Sequence, residues 1–361
     1  MTTRKPTKRE LARARRARDA SYDGVFWVCV KTTGIFCRPS CRARMPLERN
    51  VEYAFSPREA LTRGYRPCKR CQPTRAPGAH PDWVQRVLQL SAEARDRRIT
   101  DGELRSAGID PVRARRYFVE RFGMTFHAYH RAARMGAALD DLKGGTEPLA
   151  TGLGRGYESD SGFRAAFSGK FKATPGRSRI VEQIKVEGME SPVGRFEIGA
   201  TSRGVCLVEF ADRRALPTEL AQLEQRLKMP VVPGSNRFVA QMVDQLERYF
   251  AGELRDFTTE LDITGTPFQR RVWAELMRIP YGQTISYGEL ARRVKLPGGQ
   301  RAVGQANGAN HIAIVIPCHR VVQSDGTLRG YGGGLWRKQH LLELEAAHAS
   351  LFAGAAAAAQ G

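Results

Sequence analysis

The feature that most constrains this chain is a set of four cysteines in two close pairs, Cys37-x3-Cys41 and Cys68-x2-Cys71, with residues 42–67 between them. Four thiolates so spaced, in a reducing compartment, suit one tetrahedral zinc ion and tie residues 37–71 to a single point. The spacing leaves two roles open, a structural zinc knot and a reactive zinc thiolate. The other cysteines, Cys29, Cys206 and Cys318, are scattered, and the total of seven is odd. A chain of this size needs no disulfides to fold. Cys29 lies in the strand-forming run Val25-Phe26-Trp27-Val28-Cys29-Val30 and reads as a buried structural thiol, as does Cys206.

At 361 residues the chain has room for two or three domains. Residues 1–20 carry eight Lys or Arg against Glu10 and Asp19 and read as a basic arm, helical or disordered. Residues 21–76 are the cysteine module, where Ser56-Pro57-Arg58-Glu59 predicts a helix start with a capping box. The proline-rich stretch 72–81 reads as a linker. Residues 82–180 read as entirely helical. Trp83, Val87, Leu88 and Leu90 share a face, Thr100 to Glu103 is a capping box, and Asp110-Pro111 and Ser159-Asp160-Ser161 are helix starts. From 184 to 263, strand character at 193–196, Ile198 and 205–210 precedes a helical pattern from Asn236 to Tyr249. Residues 264–348 hold a helix at 268–277, then short helices and Gly-rich loops, closed by a helix from Lys338 to Ala347. The alanine-rich stretch 349–361 is expected to be disordered.

The formal net charge is +21 and the pI is near 10.2. That implies a polyanionic partner, usually nucleic acid, although a generally Arg-rich composition is the blander reading. No apolar run reaches the length of a bilayer span, and none follows the basic N-terminus as in a secretory signal. A bacterial cytoplasmic address, in association with the nucleoid, is the expectation.

Pro317-Cys318-His319-Arg320 follows the apolar run Ile312-Ala313-Ile314-Val315-Ile316, which should be buried. Cys318 therefore sits where a core strand or turn meets a cleft. A lone Cys beside a His reads either as a buried structural thiol or as a nucleophile with its base.

The surrounding motifs favour the nucleophile. Thr266-Pro267-Phe268-Gln269, Ile279-Pro280-Tyr281-Gly282, Ser286 to Ala291, Arg301 to Gly304, Asn307 to Asn310, Pro317 to Val322, Gly330-Tyr331 and Leu341 to Glu345 occur in order. From about Ile184 to Ala347 the chain resembles the O6-alkylguanine-DNA alkyltransferase family. The resemblance implies a ribonuclease-H-like α/β subdomain over 184–263 and a winged-helix-like catalytic subdomain over 264–348. It makes Cys318 the methyl acceptor, His319 its base and Glu345 the orienter of His319, with Glu343 as the rival carboxylate. Tyr287 would press near the target phosphate and the flipped base, Arg301 would fill the vacated stack, and Asn310 would hold the turn that presents the site. The Gly332 amide would reach O6. The thioether product has no good leaving group, so each site turns over once.

Residues Thr32 to Cys41 and Gly64 to Cys71 resemble the N-terminal metal-binding domain of the Ada adaptive-response family. That resemblance makes Cys37 both a zinc ligand, with Cys41, Cys68 and Cys71, and the acceptor of a methyl from a DNA phosphotriester. Methylating one sulfur removes one negative charge, which near a polyanion is a binding switch. Thr33, Arg44 and Arg66 are neighbours that could face phosphate. Residues from about Trp83 to Arg179 resemble the AraC-type domain with two helix-turn-helix units. Its recognition helices would present Arg113, Arg115 and Arg116 in the first unit and Arg164 in the second. The Gly content of Ala150 to Arg155 is high for the helix required there.

All three resemblances fall in the order of an Ada-family chain. The class expected is multidomain α+β: a small zinc-binding α/β module, an all-α double helix-turn-helix domain and a two-part alkyltransferase domain. The function expected is repair of O6-methylguanine, and of O4-methylthymine, coupled to transcriptional regulation. Double-stranded DNA and RNA polymerase are the expected partners of a monomer with one zinc and no membrane attachment. The alternative is a zinc-dependent transcription regulator whose acceptors no longer work.

Overall fold

The computed structural model describes residues 6–75, 79–328 and 330–358, with side chains described as far as Ala349. Residues 1–5 of the expected arm, 76–78 of the expected linker and 359–361 lie outside the described residues.

The basic arm is not separate from the cysteine module. Helix α1 (Lys8–Ala17) starts at a Thr7–Glu10 capping box. Its apolar face packs Leu11 and Ala14 against Phe26 and Val28, while most of its arginines face out. Arg15 is the exception. It is buried, donates to the Pro46 carbonyl at 2.8 Å and pairs with Glu48. The helical alternative for the arm thus holds, and the spacing of Leu11, Ala12 and Ala14 makes that helix amphipathic.

The module is a four-stranded sheet in the order β3-β1-β2-β4, built from β1 (Trp27–Val30), β2 (Ile35–Cys37), β3 (Val51–Ala54) and β4 (Arg66–Pro67). Strand β1 is antiparallel to β2 and β3, and β4 runs parallel to β2. The β2/β4 register pairs Phe36 with Pro67, so the two cysteine pairs meet at the ends of neighbouring strands. Helix α2 (Pro57–Thr62) is capped by Ser56 as expected. Glu59 does not close the capping box; its carboxylate takes the Phe55 N–H at 2.6 Å, one residue before the cap.

The central region is helical throughout: α3 (Asp82–Glu93), α4 (Asp101–Ser106), α5 (Pro111–Phe122), α6 (Phe126–Lys143), α7 (Pro148–Gly154) and α8 (Asp160–Phe171). Two small cores form it. Val87, Leu104, Phe118 and Phe126 make one, and Met135, Leu139, Phe163 and Phe167 the other, with α6 entering both. One glycine of α7 has a packing reason. A Cβ on Gly152 would lie 3.0 Å from Phe163, so Gly lets α8 sit close.

The next sheet has the order β7-β6-β5-β8, from β5 (Ile184–Met189), β6 (Phe196–Ala200), β7 (Val205–Phe210) and β8 (Val231–Pro233). Helix α9 (Leu216–Leu227) joins β7 to β8, and α10 (Arg237–Phe250) packs on the sheet. The sequence pattern singles out β6 and β7 but neither β5 nor the three-residue β8. Helix α6 covers the edge strand β8, with Gly136 close against Val232 and Asp140 paired with Lys185.

The last part contains α11 (Pro267–Met277), β9 (Ile285–Ser286), α12 (Tyr287–Arg293), α13 (Gln300–Gly308), β10 (Val321–Val322) and α14 (Leu335–Ala358). Residues 312–316 are a buried turn, with Ile314 at φ 71° and Ile312 bridged to Val208 of β7. Gly24, at φ 90°, allows the cysteine module to abut Trp336: a Cβ there would lie 2.9 Å from the indole. The expected disordered tail is instead helical as far as Ala358. Alanine has the highest helix propensity, so the run prolongs α14. Among the described residues no helix is long and apolar enough to cross a membrane.

Candidate functional site

Pro317 cannot continue a ladder, and a single tight turn at 318–320 leads into β10. That turn points three consecutive side chains inward. Cys318 is 6% exposed and His319 fully buried. Helix α14 brings Glu345, also fully buried, to meet them. His319 Nε2 lies 2.9 Å from Glu345 Oε1, and Arg320 donates to both carboxylate oxygens at 2.9 Å. The Tyr249 hydroxyl donates to Oε1 at 2.8 Å and the Gly282 amide to Oε2 at 3.1 Å. Burial opposes ionisation of Glu345, but His319 and Arg320 outweigh it and hold the carboxyl well below the usual range. Glu343, the rival carboxylate, is exposed and bonds Gln339.

Burial pushes His319 towards the neutral form, with Glu345 opposing. An Nε2–H directed at Glu345 leaves Nδ1 as the acceptor, and Nδ1 is buried with no protein partner. A base with its lone pair free, one residue from a thiol, is the nucleophile–base–orienter arrangement. Burial raises the Cys318 thiol, while Asn310, Lys338 and Arg213 act to lower it. Asn310 bridges the turn before the cysteine: it donates to the Ile316 carbonyl at 2.9 Å and accepts from the Ile312 amide at 3.0 Å. Asn307 donates to the Cys318 carbonyl at 3.3 Å.

A cavity of about 10 Å³ adjoins Cys318, walled by Asn310, Gly332, Tyr331, Glu209 and Arg213 among others. Tyr287 opens α12 with its hydroxyl near Gly330, which also lines the cavity. Arg301 stands exposed in the first turn of α13. Sequence reasoning missed Tyr249, Glu209, Arg213 and Lys338. Lys338 is fully buried, its Nζ donates to the Val321 carbonyl at 2.6 Å, and burial draws it down to about 8. No local pattern marks these four; a helix-face tyrosine and three charged residues look ordinary in sequence.

The second cluster is Cys37, Cys41, Cys68 and Cys71, with all four sulfurs within 4.8 Å of one another. Four sulfurs about 2.3 Å from a tetrahedral zinc stand about 3.8 Å apart, so the set fits that ion with little movement. The hydrogen bond shared by Cys37 and Cys71 raises the first thiol and lowers the second. Arg38 reinforces the cluster, its amide donating to Cys71 Sγ at 3.4 Å and its Nε to the Cys71 carbonyl at 3.1 Å. Thr33, Arg44 and Arg66 are exposed, and Thr33 and Arg66 lie at the end of β2 and β4 away from Cys37, since Arg66 pairs with Ile35. Cys29 and Cys206 are fully buried, and burial raises them to about 11 and about 12.

In the helical region Arg113, Arg115 and Arg116 are all exposed on α5, with Arg113 stacked 4.5 Å over Trp83. Arg164 is exposed on α8 and paired with Asp160 at 2.5 Å.

Four family models match in succession. Residues 10–74 match the metal binding domain of Ada and 104–179 a helix-turn-helix domain. Residues 184–263 match the ribonuclease-like domain, and 267–347 the DNA binding domain, of 6-O-methylguanine DNA methyltransferase. The bifunctional transcriptional activator/DNA repair enzyme Ada of Escherichia coli is 34% identical over 338 residues, covering 91% of this chain and 94% of that protein. The regulatory protein ada of Salmonella typhimurium is 36% identical over 344 residues, with the same coverage. A crystal structure of Mycobacterium tuberculosis OGT in complex with DNA is 43% identical, covers 45% of this chain and 94% of that one, and has a TM-score of 0.41. With two such relatives matched over nearly their whole length, and a metal-binding module, helix-turn-helix region and methyltransferase in sequence, the chain belongs to the Ada family of bifunctional transcriptional activators and DNA repair enzymes.

Proposed function

We propose that this protein takes a methyl group from O6 of guanine, and from O4 of thymine, in duplex DNA onto Cys318. The observation that carries this is the buried Cys318–His319–Glu345 arrangement, with the His319 Nδ1 lone pair free. His319 takes the thiol proton through a bridging water, and Glu345 stabilises the resulting imidazolium. The Cys318 Sγ–methyl bond forms as the O6–methyl bond breaks. The electron pair returns to the base, which regains a proton at N1 of guanine or N3 of thymine. No step regenerates the thiol, so each site acts once. The target must leave the stack to reach a thiol this buried. Tyr287, at the start of α12, guides it, and Arg301, exposed on α13, fills the gap.

The four cysteines of the N-terminal module would hold zinc, which when bound keeps its sulfurs as thiolates at neutral pH. Cys37, half-exposed at the end of β2, is the acceptor for a methyl from a phosphotriester, with Arg44 and Arg66 towards the DNA backbone. Loss of one negative charge there strengthens DNA binding, and the arginines of α5 and α8 then read a promoter. The basic charge of +21 supports DNA as the partner. RNA polymerase contact, a monomeric state and a cytoplasmic, nucleoid-associated location complete the reading. The test is to incubate the protein with alkylated duplex and map methylated cysteines by peptide mass spectrometry. Methyl on Cys318 and Cys37 is expected; methyl on neither would overturn the reading in favour of a regulator with inactive acceptors.

A further inference from the structure

The cavity over Cys318 is small, about 10 Å³, which is the room one water needs. One wall comes from the catalytic part, through Asn310 and Gly332, and the facing wall from the end of β7, through Glu209 and Arg213. The Arg213 guanidinium is tied down on several sides. It pairs with Glu209, lies 3.1 Å from Glu219 of α9, and donates to the Gly308 carbonyl at 3.3 Å. Its plane rests on Gly332. A Cβ at that glycine would fall 2.9 Å from the guanidinium carbon and 3.1 and 3.2 Å from its two terminal nitrogens. Any side chain at 332 would displace it.

Gly332 is the position whose amide the family resemblance directs at O6. The guanidinium therefore stands over the place where O6 and its alkyl group must arrive. Glu209 is 1% exposed, and burial raises its carboxyl to about 7 against the pull of Arg213. Anchor and arginine lie four residues apart, so the side chain can swing aside but not leave.

We propose that Arg213, anchored by Glu209 and Glu219, is a specificity-determining gate that the ribonuclease-like subdomain contributes to the Cys318 site, admitting an O6-methyl group and hindering larger alkyl groups. A methyl group is about the size of a water, whereas a benzyl group needs space that only a displaced Arg213 provides. The inference rests on the reading of Cys318 as acceptor.

The test compares single-turnover transfer from one duplex carrying O6-methylguanine and from the same duplex carrying O6-benzylguanine. The proteins are the parent chain, Arg213→Ala, and Arg213→Ala combined with Glu209→Gln, which removes the charge of the fully buried anchor together with its partner. The benzyl-to-methyl rate ratio should rise at least about tenfold in both variants. If Arg213→Ala fails to fold, the double variant decides. Methyl found on Cys318 of the parent with an unchanged ratio in the folded variants would overturn the gate and leave the acceptor reading standing. No methyl on Cys318 of the parent would overturn both.

Discussion

The two cysteines proposed as methyl acceptors lie in opposite settings. Cys318 is a single thiol in an apolar core, 6% exposed, and its burial raises the cost of forming a thiolate. In the proposed reaction a positioned base removes the proton and has its own orienter, and the groups that meet there come from α14, α10 and the turn at 318–320. Cys37 lies half-exposed at a strand end, among three other sulfurs. No histidine or carboxylate joins that metal-holding group among the described residues, and a metal takes the place of the base. A buried thiol thus suits a base flipped out of DNA, and a half-exposed thiolate cluster suits a phosphate on its outside.

The largest effect should come from Cys318→Ala. It should abolish transfer from O6-methylguanine and leave methyl on Cys37, as read by peptide mapping. Loss of both would show that the two sites are coupled. Zinc removal is the mirror experiment. A strong chelator should abolish methylation of Cys37 and unfold the N-terminal module, lowering its thermal transition. Transfer to Cys318 should continue, and its loss would mean that the dock of Gly24 on Trp336 supports the catalytic part.

Glu345→Gln sharpens the comparison further, because only the buried site depends on an orienter. The change weakens the hold on His319 and leaves Arg320 buried without its counter-charge. Transfer to Cys318 should slow by about 10²- to 10⁴-fold in a quenched time course. Unfolding in urea should show a loss of about 3–5 kcal/mol. An unchanged rate would return the orienter role to Glu343.

The smallest effect is on pH dependence. The Cys318 thiol is raised, so transfer to it should accelerate from neutral pH towards pH 9, while transfer to Cys37 stays nearly flat. Equal slopes at the two sites would break the contrast. Stability has the opposite limb. The folded His319 and Glu345 both titrate below their unfolded values, so their contribution is present above those values. It should be lost as pH falls below about 6.5 and on through the carboxylate range.

Much of this was legible in the chain because the signals are local. Cysteine pairs three and four positions apart bring their sulfurs close, and the caps at Ser56, Thr100, Asp110 and Ser159 each start a helix where expected. Local signals also misled. Arginine density at 1–20 hid the Leu11 and Ala14 stripe, and alanine monotony at 349–358 read as disorder though it prolongs a helix. The three-residue β8 carries too little pattern to stand out, and it is a strand because β5 pairs with it and α6 covers it.

By itself the sequence determined which residues are chemically able to act: the four-cysteine set and Cys318 with His319, while the choice of Glu345 over Glu343 came from the family resemblance. Only the tertiary structure decided what surrounds them. Tyr249 and Arg320 converge on Glu345 from separate elements, Lys338 is drawn inside, and Arg213 is laid over Gly332 from the turn after β7. The reason is physical. A capping or metal-binding residue acts within a few positions of its partner, whereas a buried carboxylate or a closed cavity is satisfied by whatever groups the packed chain brings near, and these stand up to about a hundred residues away.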